Sequence, residues 1–133
     1  MIKTVIVNGT FDILHRGHLT LLNHAKSLGD YLIVCIDTDE RVKQLKGEDR
    51  PIHNQEDRKF FLSNLKSVDE VMFFSSDKEL ESIIKETKPD IMVKGSDYRN
   101  KHIVGGHLIR EIVFFDILNE YSTTKTIQRI TSR

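Results

Sequence analysis

His15 and His18 stand one helical turn apart in the string GTFDILHRGH, with Gly17 between them. Imidazoles at that spacing can both donate a hydrogen bond to one phosphate group, and neither needs to be a nucleophile. Gly17 lets backbone approach the same anion closely. Thr10, with the backbone from Gly9 to Phe11, adds a hydroxyl and turn amides immediately upstream. A second set lies near the carboxyl end of the chain, where Ser122, Thr123 and Thr124 form three consecutive hydroxyls. At a helix start such residues both cap the helix and bind phosphate oxygens. A plain cap explains Ser122 equally well; three hydroxyls in a row are better explained by a ligand. The chemistry these residues suit is the holding of a polyphosphate.

The elements that position them are legible from hydrophobic pattern. Val5 to Val7 form a β-branched run before Asn8-Gly9, and Leu21, Leu22, Ala25 and Leu28 recur at helical spacing until Gly29. The first set therefore sits at the carboxyl end of a strand and the start of a helix, where open α/β sheets bind anions. Tyr31 to Asp37 reads as a central strand buried on both faces. Asp37 or Thr38 caps a short helix bearing Val42 and Leu45, and KQLKGEDRPIH follows as a mobile basic loop around Gly47. Asn54 caps a helix through about Ser67 whose apolar face is Phe60, Phe61 and Leu65. Arg58 lies in its first turns against the helix dipole, so it needs a charge partner or an anionic ligand.

Strands at Glu70 to Phe74, Ile91 to Lys94 and Glu111 to Leu118 follow, with a helix capped by Asp77 between the first two. Gly95-Ser96-Asp97-Tyr98 comes directly after an apolar run and marks another loop at the ligand edge. Gly105-Gly106 is a flexible turn or a strained backbone site. The terminal helix carries Ile127 and Ile130. Strands alternating with helices give an α/β fold: a single Rossmann-like domain over residues 1–133, with an open parallel sheet of about five strands flanked by helices.

Composition narrows the function classes. Twenty acidic residues balance twenty basic ones, which gives no electrostatic reason to expect nucleic acid or an anionic membrane as partner. Cys35, the single cysteine, lies in the apolar run YLIVCI and reads as a buried thiol. No stretch reaches the ~20 apolar residues a membrane span requires, and MIKTVIV enters a strand without a signal-peptide pattern. A cytoplasmic protein is expected.

The chain resembles the nucleotidyltransferases that carry a GTFD...HxGH signature, among them the heptose-phosphate adenylyltransferases and the cytidylyltransferases. The likeness runs from Val5 to about Ile130. It implies a Rossmann-like fold and transfer of a nucleoside monophosphate from a triphosphate to a phosphorylated small molecule, with pyrophosphate released. By the same resemblance His15, His18 and Lys46 are catalytic, and Gly9, Thr10, Phe11, Lys94, Gly95, Asp97, Ser122, Thr123 and Thr124 join the two histidines in binding nucleotide. Asp12, Lys46, Arg50 and Arg58 are implied on the acceptor side.

Magnesium is implied with the triphosphate; Asp12 is the nearest carboxylate for it and could equally orient a backbone turn. LKGEDRPI and VKGSDY look like the heptose-1-phosphate adenylyltransferase branch, which favours ATP. The glycerol-3-phosphate cytidylyltransferase branch usually has an Arg shortly before its STT motif, and here NEY precedes STT. A homodimer is implied as well. A non-catalytic nucleotide-binding module is the alternative from another class, but it would need only the binding half of this residue set.

Overall fold

In the computed structural model, residues 1–116 and 121–132 are described. The strands are β1 (Thr4–Gly9), β2 (Tyr31–Asp37), β3 (Glu70–Phe74), β4 (Ile91–Gly95) and β5 (Glu111–Phe115), and the helices are α1 (Arg16–Ser27), α2 (Asp39–Lys46), α3 (Gln55–Ser63), α4 (Asp77–Thr87) and α5 (Thr123–Thr131). All strands are parallel, in the order β3-β2-β1-β4-β5. The chain thus builds outward from β1 to β3, then crosses back to lay β4 on the other side of β1. That reversal opens a crevice at the carboxyl ends of β1 and β4.

Alternation along the strands makes two cores. Val5, Val7, Leu32, Val34 and Ile36 face one side with Leu22 and Ala25 of α1 and Leu62 of α3. Ile6, Ile33, Cys35 and Met92 face the other with Leu80, Ile83 and Ile84 of α4. Residues buried on both faces of a parallel sheet explain why YLIVCI is continuously apolar. Gly105 is the strained site of its pair, at φ +76°, where a Cβ would collide with Ile84 Cδ1. No helix among the described residues is long and apolar enough to cross a membrane.

Several boundaries differ from expectation. His15 caps α1, and the helix stops at Ser27 with Leu28 as its C-cap. Of the two caps expected for α2, Thr38 fills the role; α2 continues to Lys46, so Lys43 and Lys46 are helical and the loop begins at Gly47. Ser76 rather than Asp77 caps α4, its hydroxyl accepting from Glu79 N at 3.1 Å. β5 ends at Phe115; Ile117 and Leu118, expected in this strand, lie outside the described residues.

The apolar face expected for α3 is also corrected. Asn54 caps it as expected, but the helix ends at Ser63, and Phe60 and Phe61 are 65% and 39% exposed. Its inward residues are Leu62 and Arg58, four apart on one face. Arg58 is 1% exposed and spends its donors on the protein. Nη1 donates to the carbonyls of Thr10 and Asp37 at 2.9 Å each, Nε to that of His53 at 3.0 Å, and Nη2 to Asp39 Oδ1 at 2.8 Å. The guanidinium therefore ties the end of β1, the end of β2, α2 and the 50–53 loop together. An acceptor-binding role for Arg58 does not fit this burial; it is the charge-partner reading that matches the geometry.

Replacing Arg58 by Met strands those carbonyls and Asp39, which costs about 3 kcal/mol and ~10 °C in Tm. Arg58→Lys, lacking the planar fork, should lose most of the same stability. Thermal melts of both variants check this. Unchanged melts with a selective loss of acceptor affinity would return Arg58 to the ligand.

Candidate active site

The turn after β1 is held in an unusual shape. Phe11 and Ile13 sit at φ +53° and +48°, a conformation that side chains seldom adopt and that is rarer still for a β-branched residue. Its surroundings over-determine it. Asp12, 2% exposed, accepts from Ile52 N at 2.6 Å and His53 N at 2.9 Å. The Thr123 hydroxyl donates to the Asp12 carbonyl. Phe11 buries its ring 5.2 Å from that of His18. Asp12 is thus the turn-orienting carboxylate of the two roles open to it, with both oxygens on loop amides rather than offered to an acceptor or a metal. Among the described residues no group of three His, Cys, Asp or Glu side chains comes together to hold an ion.

The turn delivers the histidines to α1 in one defined state. Gly17 N donates to His15 Nδ1 at 3.1 Å, and His15 N donates to His18 Nδ1 at 3.2 Å. Each Nδ1 accepts a backbone proton, so in each neutral ring the proton resides on Nε2. The rings stack at 3.8 Å, 25° apart. Gly17 makes room for this, because a Cβ there would come within 2.9 Å of His15 Cε1. Burial lowers the pKa of His15; burial first, then the charges of His15 and Lys46, bring that of His18 to about 4. The result is a pair of uncharged Nε2–H donors at the N-terminus of a helix.

Two cavities meet at His18. The first, about 340 Å³, is lined by His15, Gly17, His18, Gly95, Asp97 and the three hydroxyl residues Ser122 to Thr124. Tyr98 also lines it, as do apolar Leu21, Phe115 and Tyr121. The second, about 370 Å³, takes Gly9, Thr10, Phe11, Asp12, Asp37, Arg41 and Leu45. His18, Lys46, Arg50, Tyr98 and Thr123 border both. Burial and the neighbouring Arg50 charge lower the Lys46 pKa. Arg50 Nε is buried without a hydrogen-bond partner and lies 3.8 Å from Asp12 Oδ2. At the start of α5, Ser122 Oγ accepts from Lys125 N, which leaves its O–H to donate elsewhere. The Thr123 hydroxyl is committed to the Asp12 carbonyl, and Thr124 is exposed at the rim.

The fold thus brings the expected residues to one crevice, with two exceptions. Arg58 lies beneath it. Lys94 lines neither cavity; its ammonium is 4.2 Å from the centre of the Tyr98 ring and 3.5 Å from Asn8 Oδ1, behind the site. Tyr121, Leu21, Phe115, Asp37 and Arg41 line the cavities without having been expected there. Asp37 carries a usable signal, since it ends a strand at the ligand edge, but the same position suits a helix cap. Tyr121 immediately precedes the three hydroxyls and stacks near His15, ring centres 6.4 Å apart.

Because the His18 pKa is depressed on folding, its neutral form contributes stability that is complete above pH 6.5. That contribution is lost as pH falls through about 4. In an NMR titration of the free protein, the His18 Cε1–H resonance should stay still from pH 8 to about 5.5 and move near 4. A midpoint at 6 or above would show an imidazole in ordinary contact with water.

The cytidylyltransferase-like family model matches residues 6–129. Bifunctional protein HldE of a Nitratiruptor species is 47% identical over 130 residues, covering 98% of this chain and 28% of that protein. The bifunctional protein HldE of Helicobacter hepaticus is 47% identical over 128 residues, covering 96% of this chain and 26% of its own length. The chain spans about a quarter of the length of these curated relatives. Among solved structures, the lipopolysaccharide core biosynthesis protein of Thermoplasma volcanium aligns with TM-score 0.72 at 27% identity, over 87% of this chain and 98% of that one. Pantothenate synthetase of Thermus thermophilus, at 15% identity and TM-score 0.58 over 94% of this chain and 64% of that one, shares the fold. With its HxGH pair at the crevice of a β3-β2-β1-β4-β5 sheet, this chain belongs to the cytidylyltransferase-like family.

Proposed function

We propose that this chain is an adenylyltransferase that joins the AMP portion of ATP to a heptose-like sugar 1-phosphate and releases pyrophosphate. The observation that carries the reading is the pair of neutral Nε2–H donors, His15 in the first cavity and His18 on its border with the second, the first ending at the α5 hydroxyls and the second walled by Thr10, Lys46 and Arg50. In this reading ATP occupies the first cavity. Its β- and γ-phosphates lie at Ser122 and the free amides of α5, and its base lies toward Leu21, Phe115 and Tyr121. The acceptor phosphate occupies the second cavity, against Lys46 and Arg50.

An acceptor phosphate oxygen attacks the α-phosphorus; its bond forms as the bond to the β-bridging oxygen breaks, and pyrophosphate leaves. The protein's part is to align the two phosphates and to offset the charge that gathers on the α-phosphoryl oxygens and the leaving group. His15 and His18 do so through fixed hydrogen bonds, which need no reorganisation during the reaction. Lys46, bordering both cavities, neutralises the repulsion between acceptor and α-phosphate. Magnesium would come with the triphosphate, held by phosphate oxygens and water. Among the described residues the chain's own carboxylates form no cage for it. The choice of ATP and a heptose-like acceptor is supported by the likeness to bifunctional HldE proteins and by the LKGEDRPI and VKGSDY segments.

Pyrophosphate release in the presence of magnesium tests this, with ATP or CTP against heptose 1-phosphate, other sugar 1-phosphates and glycerol 3-phosphate. Turnover is expected with ATP and a sugar 1-phosphate. His18→Ala should lower kcat by roughly 100- to 1,000-fold, as loss of one preorganised donor does. Turnover only with CTP and glycerol 3-phosphate would overturn the choice of substrates. Tight ATP binding without turnover of any acceptor would make the chain a nucleotide-binding module.

A further inference from the structure

We infer that Asp37 reads a hydroxyl of the acceptor, so that the second cavity selects a polyhydroxylated phosphate over a bare one. This inference rests on the adenylyltransferase reading. Asp37 ends β2, is 6% exposed and lines the second cavity beside Thr10, Lys46 and Arg50. It is pinned from behind. Arg58 holds its carbonyl at 2.9 Å, and Arg41 Nε donates to its Oδ2 at 3.1 Å. Arg41 is held in turn by Asp77 Oδ1 at 2.6 Å and lies over the Phe74 ring, 5.3 Å from its centre. The carboxylate is therefore preorganised and has little freedom to follow a ligand.

Lys46 borders the same cavity and forms no salt bridge with Asp37 among the described residues, though each feels the other's charge. A cation and an anion that line one cavity without pairing suit a ligand with a phosphate at one end and a hydroxyl donor at the other. In a sugar 1-phosphate the hydroxyls nearest the phosphate-bearing carbon are such donors. A carboxylate that burial has stripped of water gains most from such a donor, because charge-assisted hydrogen bonds are about twice as strong as neutral ones. Tyr98 also lines this cavity, its ring centre 4.2 Å from the ammonium of Lys94.

A substrate–variant cycle tests the assignment. Wild type, Asp37→Asn and Asp37→Ser are compared with ATP and heptose 1-phosphate or its monodeoxy analogues, with thermal melts run alongside. In wild type one deoxy analogue should lose ~10- to 100-fold in kcat/KM, as expected when a buried polar group is left unpaired. In Asp37→Ser that penalty should shrink to about 3-fold or less, and in Asp37→Asn to an intermediate value, because the charge is lost and the shape kept. KM for ATP should not move.

If the deoxy penalty persists undiminished in both variants, the inference fails. It fails equally if KM for ATP and acceptor rise together in proportion to lost stability, the pattern of a salt bridge that merely supports α2. Wild type that turns over sugar 1-phosphates while the variants match it on every analogue removes Asp37 alone. Wild type that turns over none removes the adenylyltransferase reading and this one with it.

Discussion

The site depends on a cation buried beneath it. Arg58 is buried under the carboxyl edge of the sheet, where its desolvation would be prohibitive without partners. Three backbone carbonyls and the Asp39 carboxylate answer it. Those acceptors belong to segments that are distant in sequence. The turn after β1, the end of β2 and the loop leading into α3 are thereby fixed relative to one another before any substrate arrives. Asp12 repeats the device from the opposite side, accepting two loop amides while its carbonyl takes the Thr123 hydroxyl. α5, the last helix, is in this way tied to the first turn.

That rigidity is what the histidine pair requires. A donor that stabilises a transition state electrostatically must already point at the charge that will develop. Here both rings are locked by backbone amides on Nδ1 and stacked on each other, with Phe11 behind His18. Burial lowers the pKa of both, and the His15 and Lys46 charges add to it at His18, so they act as dipoles rather than as ions. The positive charge of the site comes instead from Lys46 and Arg50, which border both cavities. Such a division suits a reaction in which two anions must approach each other: the cations screen the repulsion, and fixed neutral donors set the geometry.

The sheet, its helices and the phosphate-holding residues could be read in the sequence because each rests on local pattern. GTFDILHRGH sits between an apolar run and a helical repeat, and YSTT opens the final helix. What could not be read depends on partners far along the chain. Arg58 looks like a ligand-binding cation until the carbonyls of Thr10 and Asp37 are seen beside it, 48 and 21 residues away. Asp12 is similar, its amide partners lying 40 and 41 residues on. Phe60 and Phe61 satisfy helical spacing, yet α3 turns Arg58 and Leu62 inward, and hydrophobicity alone favours the wrong face. Asp37 is hidden by its plausibility as a cap, a role that Thr38 fills.

The claim on which everything else hangs is that His15 and His18 present Nε2–H to the phosphates as neutral rings. Long-range proton–nitrogen NMR on imidazole-labelled protein at pH 7 observes this directly. Both residues should show a protonated Nε2 and an unprotonated Nδ1, and addition of a non-hydrolysable ATP analogue with magnesium should shift the Nε2 resonances far more than those of Nδ1. Imidazolium signals in the free protein, protonation at Nδ1, or Nε2 resonances indifferent to the nucleotide would contradict the account.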